Sequence, residues 1–140
     1  MKKFSFELQK VLEFRNFEKQ QAEGELARAI AVETQINQNL KTIAQQYLSL
    51  KQSMKGSLDF GDMVSSSQYT NLLDYQKEEL LKQLAQAQLV TEQKRNILRE
   101  CMKKTTALEK MRDKQMEEWK AAADYEEAEA MDDIKTVIHN

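Results

Sequence analysis

The chain has 140 residues, 41% hydrophobic and 31% charged, with three glycines, no proline and a formal charge of -2 from 21 basic against 23 acidic residues. So little glycine and proline leaves it without the turn chemistry that sheets, sandwiches and doubly wound folds need at each strand connection. Its near-neutral charge favours neither nucleic acid nor a membrane surface as a partner, and its stock of Glu, Lys, Gln, Leu, Ala and Met is that of long helices.

The N-terminus opens on Met1, Lys2 and Lys3, but Ser5, Glu7, Gln9 and Lys10 interrupt any apolar run, so neither a signal peptide nor a membrane span is expected. Counting by sevens gives one column of Leu8, Arg15, Ala22, Ala29, Ile36, Ile43 and Leu50. A second holds Leu12, Lys19, Leu26, Glu33, Leu40, Tyr47 and Met54. These are the d and a positions of a coiled coil, and they predict a first helix from about residue 5 to 56, a rod of roughly 75 Å. That is too long for a compact 140-residue domain, so the helix must be an arm of a hairpin or stalk.

Between Gly56 and Ser67 the chain collects Gly56, Ser57, Asp59, Gly61, Asp62 and three serines, its one concentration of breakers and caps. A loop over about 57–66 is predicted, with Gly56 ending the first helix in a left-handed cap and one of Ser65, Ser66 or Ser67 starting the second. Beyond it, Leu73, Leu80, Ala87, Lys94, Cys101, Leu108, Gln115 and Ala122 form a third column, flanked by Val90, Ile97 and Met111 on one side and Leu84, Leu98 and Trp119 on the other. The second helix is predicted to run from about 67 to 135. A hairpin centred near residue 61 pairs residue i with roughly 122 - i, so residues after about 117 overhang. The overhang carries eight acids from Glu117 to Asp133 against Lys120, and its end should fray. Arg15, Lys19 and Glu33 in seam columns predict a looser half near the termini. The fold class is all-α, a single long antiparallel two-helix coiled-coil hairpin over 1–140.

Enzyme chemistry finds no support in the inventory. The lone histidine, His139, is a tail residue without a second imidazole to share a metal, and the lone Cys101 sits in a seam column where a small hydrophobe fits. None of the three glycines belongs to a phosphate-binding pattern, and a two-helix rod has no cleft to desolvate a catalytic carboxylate. No catalytic residue, metal or cofactor is expected, so function must lie in surfaces.

Three surfaces stand out. From Lys94 to Lys114 eight basic residues, among them Arg95, Arg99, Lys103 and Lys104, face three acidic ones, which suits an acidic partner or a solvated flank; without interleaved aromatics it does not suit nucleic acid. Phe14 and Phe17 fall off the seam at c and f positions, where exposed rings mark a contact site. Leu48, Leu72, Tyr75, Leu81 and Leu89 lie off the columns on the loop side, either as a contact surface or as a widened seam.

The opening Phe4-Ser5-Phe6-Glu7-Leu8-Gln9-Lys10-Val11-Leu12-Glu13-Phe14-Arg15, followed by Glu18 and Ala22, resembles that of the flagellar FliJ family, as do the chain length, the helix-loop-longer-helix layout and the lack of proline. The resemblance implies a non-enzymatic cytoplasmic component of flagellar type III export, folded similarly to the central stalk of rotary ATPases, while the one breaker-rich loop between two heptad segments predicts a monomer. Its implied partners are the hexameric export ATPase, bound near the termini, the cytoplasmic domain of the export gate, bound by the other part of the rod, and export chaperones. Carried onto this sequence, the ATPase contact involves Phe14, Phe17 and the basic band (Lys94, Arg95, Arg99, Lys103, Lys104). The gate contact matches Leu40, Ile43, Tyr47, Tyr69 and Leu73, with Ile43 standing where the family more often has an aromatic, and the off-column Leu48, Leu72 and Tyr75 join it. A stalk of an injectisome or of a vacuolar-type rotary ATPase shares the hairpin, and a scaffolding coiled coil is the remaining alternative.

Overall fold

The computed structural model describes residues 2–56 and 59–139, except for the His139 side chain, so Ser57, Leu58 and the tail role read for His139 lie outside what is described. Two helices carry almost all of it, α1 (Gln9–Ser53) and α2 (Phe60–His139), with no strand among the described residues.

Both helices depart from their predicted starts for identifiable reasons. α1 begins at Gln9 rather than near residue 5, its first amide donating to the Phe6 carbonyl at 3.0 Å, because Phe6 is buried and residues 2–6 form a non-helical strap. α2 begins at Phe60, seven residues earlier than expected. The cap is Asp59 rather than a serine: its carboxylate accepts from the Gly61 amide at 3.0 Å and its carbonyl accepts the Met63 amide at 3.1 Å. Asp62 in the first turn further suits the positive end of the helix dipole. α1 closes at Ser53, and Gly56 beyond it takes the left-handed conformation expected of it, at φ 89, where glycine carries no Cβ penalty.

The seven-residue columns of α1 hold throughout. Leu12, Ala22, Ala29, Ile36 and Ile43 are buried and every other member is half-buried, including Arg15, Lys19 and Glu33. On α2 the column from Leu73 to Leu108 faces inward, whereas Gln115 and Ala122 are exposed. Of the two flanks, that of Leu84, Leu98 and Trp119 completes the seam, while Val90, Ile97 and Met111 line its edge and are exposed. The completing column also holds two threonines that hydropathy passes over. Thr91 and Thr105 are 1% and 2% exposed, and their hydroxyls donate to the carbonyls of Ala87 and Cys101 four residues back at 3.0 and 2.9 Å. The polar atom is thus satisfied inside the helix and the methyl is left for the seam.

By its contacts the chain falls into two units, Ala22–Ile97 and Met1–Gln21 with Leu98–Asn140. In the first, α1 and α2 run antiparallel, with Tyr47 bonded to Asp74 and Glu25 to Lys94. In the second, Phe6, Leu12 and Thr105 form the buried centre. The strap closes it: the Phe4 ring lies 6.1 Å from that of Trp119 at 57°, and the Trp119 indole donates to the Lys2 carbonyl at 3.1 Å. The 122 - i rule places residues 75, 97 and 120 opposite Tyr47, Glu25 and Lys2, each within three residues of the observed partner.

Candidate partner-binding surfaces

No group of three or more His, Cys, Asp or Glu side chains among the described residues could hold a metal, and Cys101 is half-buried in its seam column.

In the unit built from Met1–Gln21 and Leu98–Asn140, Phe14 and Phe17 are 57% and 55% exposed, as c and f positions require. The Arg15 guanidinium stands 6.0 Å from the Phe14 ring centre and pairs with Glu18 at 2.7 Å, so one exposed ring sits beside a neutralised cation. On α2 of the same unit Lys104 is exposed and Lys103 lies 3.3 Å from Glu100. Arg99 is exposed as well and makes an interaction of its own.

The other two members of the basic band belong to Ala22–Ile97 and differ from each other. Lys94 occupies the seam column and reaches across to Glu25 at 3.0 Å, and its hydrogen bond and charge hold the Glu25 carboxyl below the usual carboxylate range. Arg95 is exposed, 3.8 Å from Glu92 on its own helix. Lys94 is thus a pairing residue of the hairpin before it can be a surface for anything else.

The loop-side candidates separate in the same way. Leu73 is 1% exposed and Ile43 is buried, so both hold the two helices together. Leu40 and Tyr47 are half-buried, and the Tyr47 hydroxyl donates to the Asp74 carboxylate, which pushes the phenol up to about 12. Leu48, Tyr69, Leu72 and Tyr75 are exposed. They do not share one face. Heptad position sets Tyr69 and Leu72 on one edge of the hairpin, Tyr75 on the outer face next to Leu72, and Leu48 on the other edge. The grooves agree: Tyr75 lines one with Asn39, Thr42, Gln46, Gln76, Glu79 and Gln83, whereas Leu48 lines another with Tyr47, Lys51, Met54, Ser66 and Thr70.

Two features escape the sequence reading. Along the Tyr69 edge, a groove of about 340 Å³ has Ala29, Ile36 and Ala87 as its floor and Val32, Gln83, Gln86 and Val90 as its rim. Gln83 lines both this groove and that of Tyr75. Edge positions of coiled coils are ordinarily Glu or Lys; between Glu25 and Asp62, which share these columns, they are Val32, Asn39, Gln46 and Ser53 on α1 and, beyond Asp62, Tyr69, Gln76, Gln83 and Val90 on α2, a stretch without charge. That column could have been read from the heptads. The second is the strap, whose signal was Trp119 falling in a seam column level with the non-helical start of the chain.

Compared with models of known protein families, residues 4–140 match the one described as Flagellar FliJ protein. No curated protein and no solved structure matches the chain.

Proposed function

The chain belongs to the flagellar FliJ protein family, components of the flagellar export apparatus, and on that premise we propose that it is the non-enzymatic cytoplasmic link between the hexameric export ATPase and the export gate. The observation that carries this reading is that each unit presents large side chains its own seam does not use. Phe14 and Phe17 do so in one, Tyr69, Leu72 and Tyr75 in the other.

In this reading Phe14, Phe17, Arg99, Lys103 and Lys104 meet the ATPase, with Arg95 at the border of the contact and Lys94 acting through its hold on Glu25. The gate meets the uncharged stretch of edge at Tyr69 and Leu72 and the outer face beside it at Tyr75. Leu40, Ile43, Tyr47 and Leu73 act there by fixing the helices that present it, and Leu48, on the opposite edge, takes part in neither contact. Export chaperones are escorted by the same rod. No described helix is long and apolar enough to cross a membrane, in keeping with attachment at the base of the export apparatus through partners alone.

The test is binding of the purified full chain to the ATPase and, separately, to the gate domain. Truncating a well-packed interface aromatic costs about 1–2 kcal/mol or more, so Phe14→Ala with Phe17→Ala should weaken ATPase binding about tenfold and spare the gate. Leu72→Ala with Tyr75→Ala should do the reverse, and Leu48→Ala should leave both unchanged. Equal loss of both partners in both helical variants rules out separate surfaces.

A further inference from the structure

At the loop end of the unit Ala22–Ile97 the seam is unevenly filled. Tyr47 and Leu50 of α1, with Met54 just beyond it, face Ser66 and Thr70 of α2, large side chains against small ones, and all five are half-buried. The mismatch leaves a groove of about 680 Å³, rimmed by Leu48, Lys51 and Lys55. Leu48 is 61% exposed there, and heptad position sets Val64 and Phe60, both exposed, on the same edge of the hairpin. The groove and these three side chains make a continuous apolar strip of the kind that marks a contact site.

Its charge is one-sided. Between Tyr47 and Asn71 the charged residues of this edge are Lys51 and Lys55, both exposed. The next acid along it, Asp74, is engaged by the Tyr47 hydroxyl, and among the described residues neither lysine pairs with an acid. A place near the C-terminal end of α1 suits a cation on its own account, but it calls for no apolar groove alongside. Two unpaired cations beside an apolar trough are the complement of an apolar stripe with acids on its flank.

We propose that this groove docks an amphipathic helix of a third protein, with its apolar stripe on Tyr47, Leu48 and Met54 and its acidic flank beside Lys51 and Lys55. From Tyr47 to Met54 the groove is about 10 Å long, the span of two helical turns, so it admits apolar side chains three or four residues apart. An anionic bilayer fits less well, since the surface is concave and Asp59 and Asp62 stand on either side of Phe60. The site is separate from the surfaces assigned to the ATPase and the gate and stands independently of them.

The probe is a synthetic helix of about four turns with leucines at i, i+3, i+4 and i+7 and glutamates along one flank, labelled for fluorescence anisotropy and titrated with the full chain. It should bind at about 0.01 M salt and at least tenfold more weakly at about 1 M, where the screening length has fallen from roughly 30 Å to roughly 3 Å. The same peptide with lysines for its glutamates should bind at least tenfold more weakly than the acidic one. Lys51→Glu with Lys55→Glu should invert that preference, and Leu48→Ala or the groove-filling Thr70→Leu should weaken the acidic peptide severalfold with helicity retained. An acidic helix that fails to bind overturns the proposal, as does binding indifferent to flank charge or to the lysine reversal. Phosphatidylserine vesicles that bind the wild type where the peptide does not would assign the edge to a bilayer instead. A dimer in sedimentation velocity that Leu48→Glu dissolves would assign it to a second copy, and either result overturns the third-protein site.

Discussion

The indole Nε1 of Trp119 donates to the backbone carbonyl of Lys2 at 3.1 Å, joining residues 117 positions apart in the chain. With Phe4 against the same indole and Phe6 buried in the same unit, the strap closes the hairpin where α1 has not yet begun. Burying a phenylalanine contributes about 2 kcal/mol, so Phe6→Ala should lower the stability of this unit by that order. It should also shift the emission of Trp119, the single tryptophan, to the red. An unmoved emission maximum would mean that the strap does not shield the indole.

Thr91 and Thr105 lie in the seam with hydroxyls bonded only to their own helix. Valine keeps the shape and removes a buried polar group, so Thr91→Val and Thr105→Val should each raise stability, by about 0.5–1 kcal/mol in chemical denaturation. A loss of that size would show that the hydroxyls matter to the local course of the helix.

Two interhelical contacts titrate in opposite directions. The Glu25 carboxyl is depressed by Lys94, so its contribution is present above its ordinary value of 4.5 and lost as pH falls through the lower folded value. The Tyr47 phenol is raised from 10.0 to about 12 by Asp74, so its contribution is present below 10.0 and lost as pH rises toward 12. Thermal melts across pH should show that Glu25→Gln removes part of the acid-side loss and Tyr47→Phe part of the alkaline-side loss. Profiles that stay parallel to the wild type would separate these contacts from stability.

Val32 and Val90 rim one groove from opposite helices. In a Cys101→Ala background, Val32→Cys with Val90→Cys should oxidise to an intrachain disulfide, seen as a faster-migrating single chain on a non-reducing gel. A product crosslinked only between chains would refute the antiparallel register in this unit.

Much of the fold was legible because a seven-residue repeat encodes both the helix and the side it buries. The columns from Leu8 to Met54 and from Leu73 to Leu108 needed nothing else. The partner column of α2 was harder, since Thr91 and Thr105 look polar until their hydroxyls are seen to bond back within the helix. The start of α2 turned on whether Asp59 or a later serine captured the first amides, a local competition that pattern leaves open. Among the site residues, exposure of Phe14, Phe17 and Tyr75 followed from heptad position, but the different roles of Lys94 and Arg95, adjacent in sequence, depended on which one faced Glu25.

Facing residues grow farther apart along the chain with distance from the loop: 27 positions between Tyr47 and Asp74, 69 between Glu25 and Lys94, 117 between Lys2 and Trp119. Closing the longest of these directly costs about 1.3 kcal/mol more in loop entropy than closing the shortest, whereas closing them in order costs little at each step. The hairpin should therefore zip from the loop outward and open from the termini inward. Phe14 and Phe17 lie at the end that opens first, so capture by the ATPase should register there as slowed amide exchange, the partner acting as a clasp on the last-formed turns.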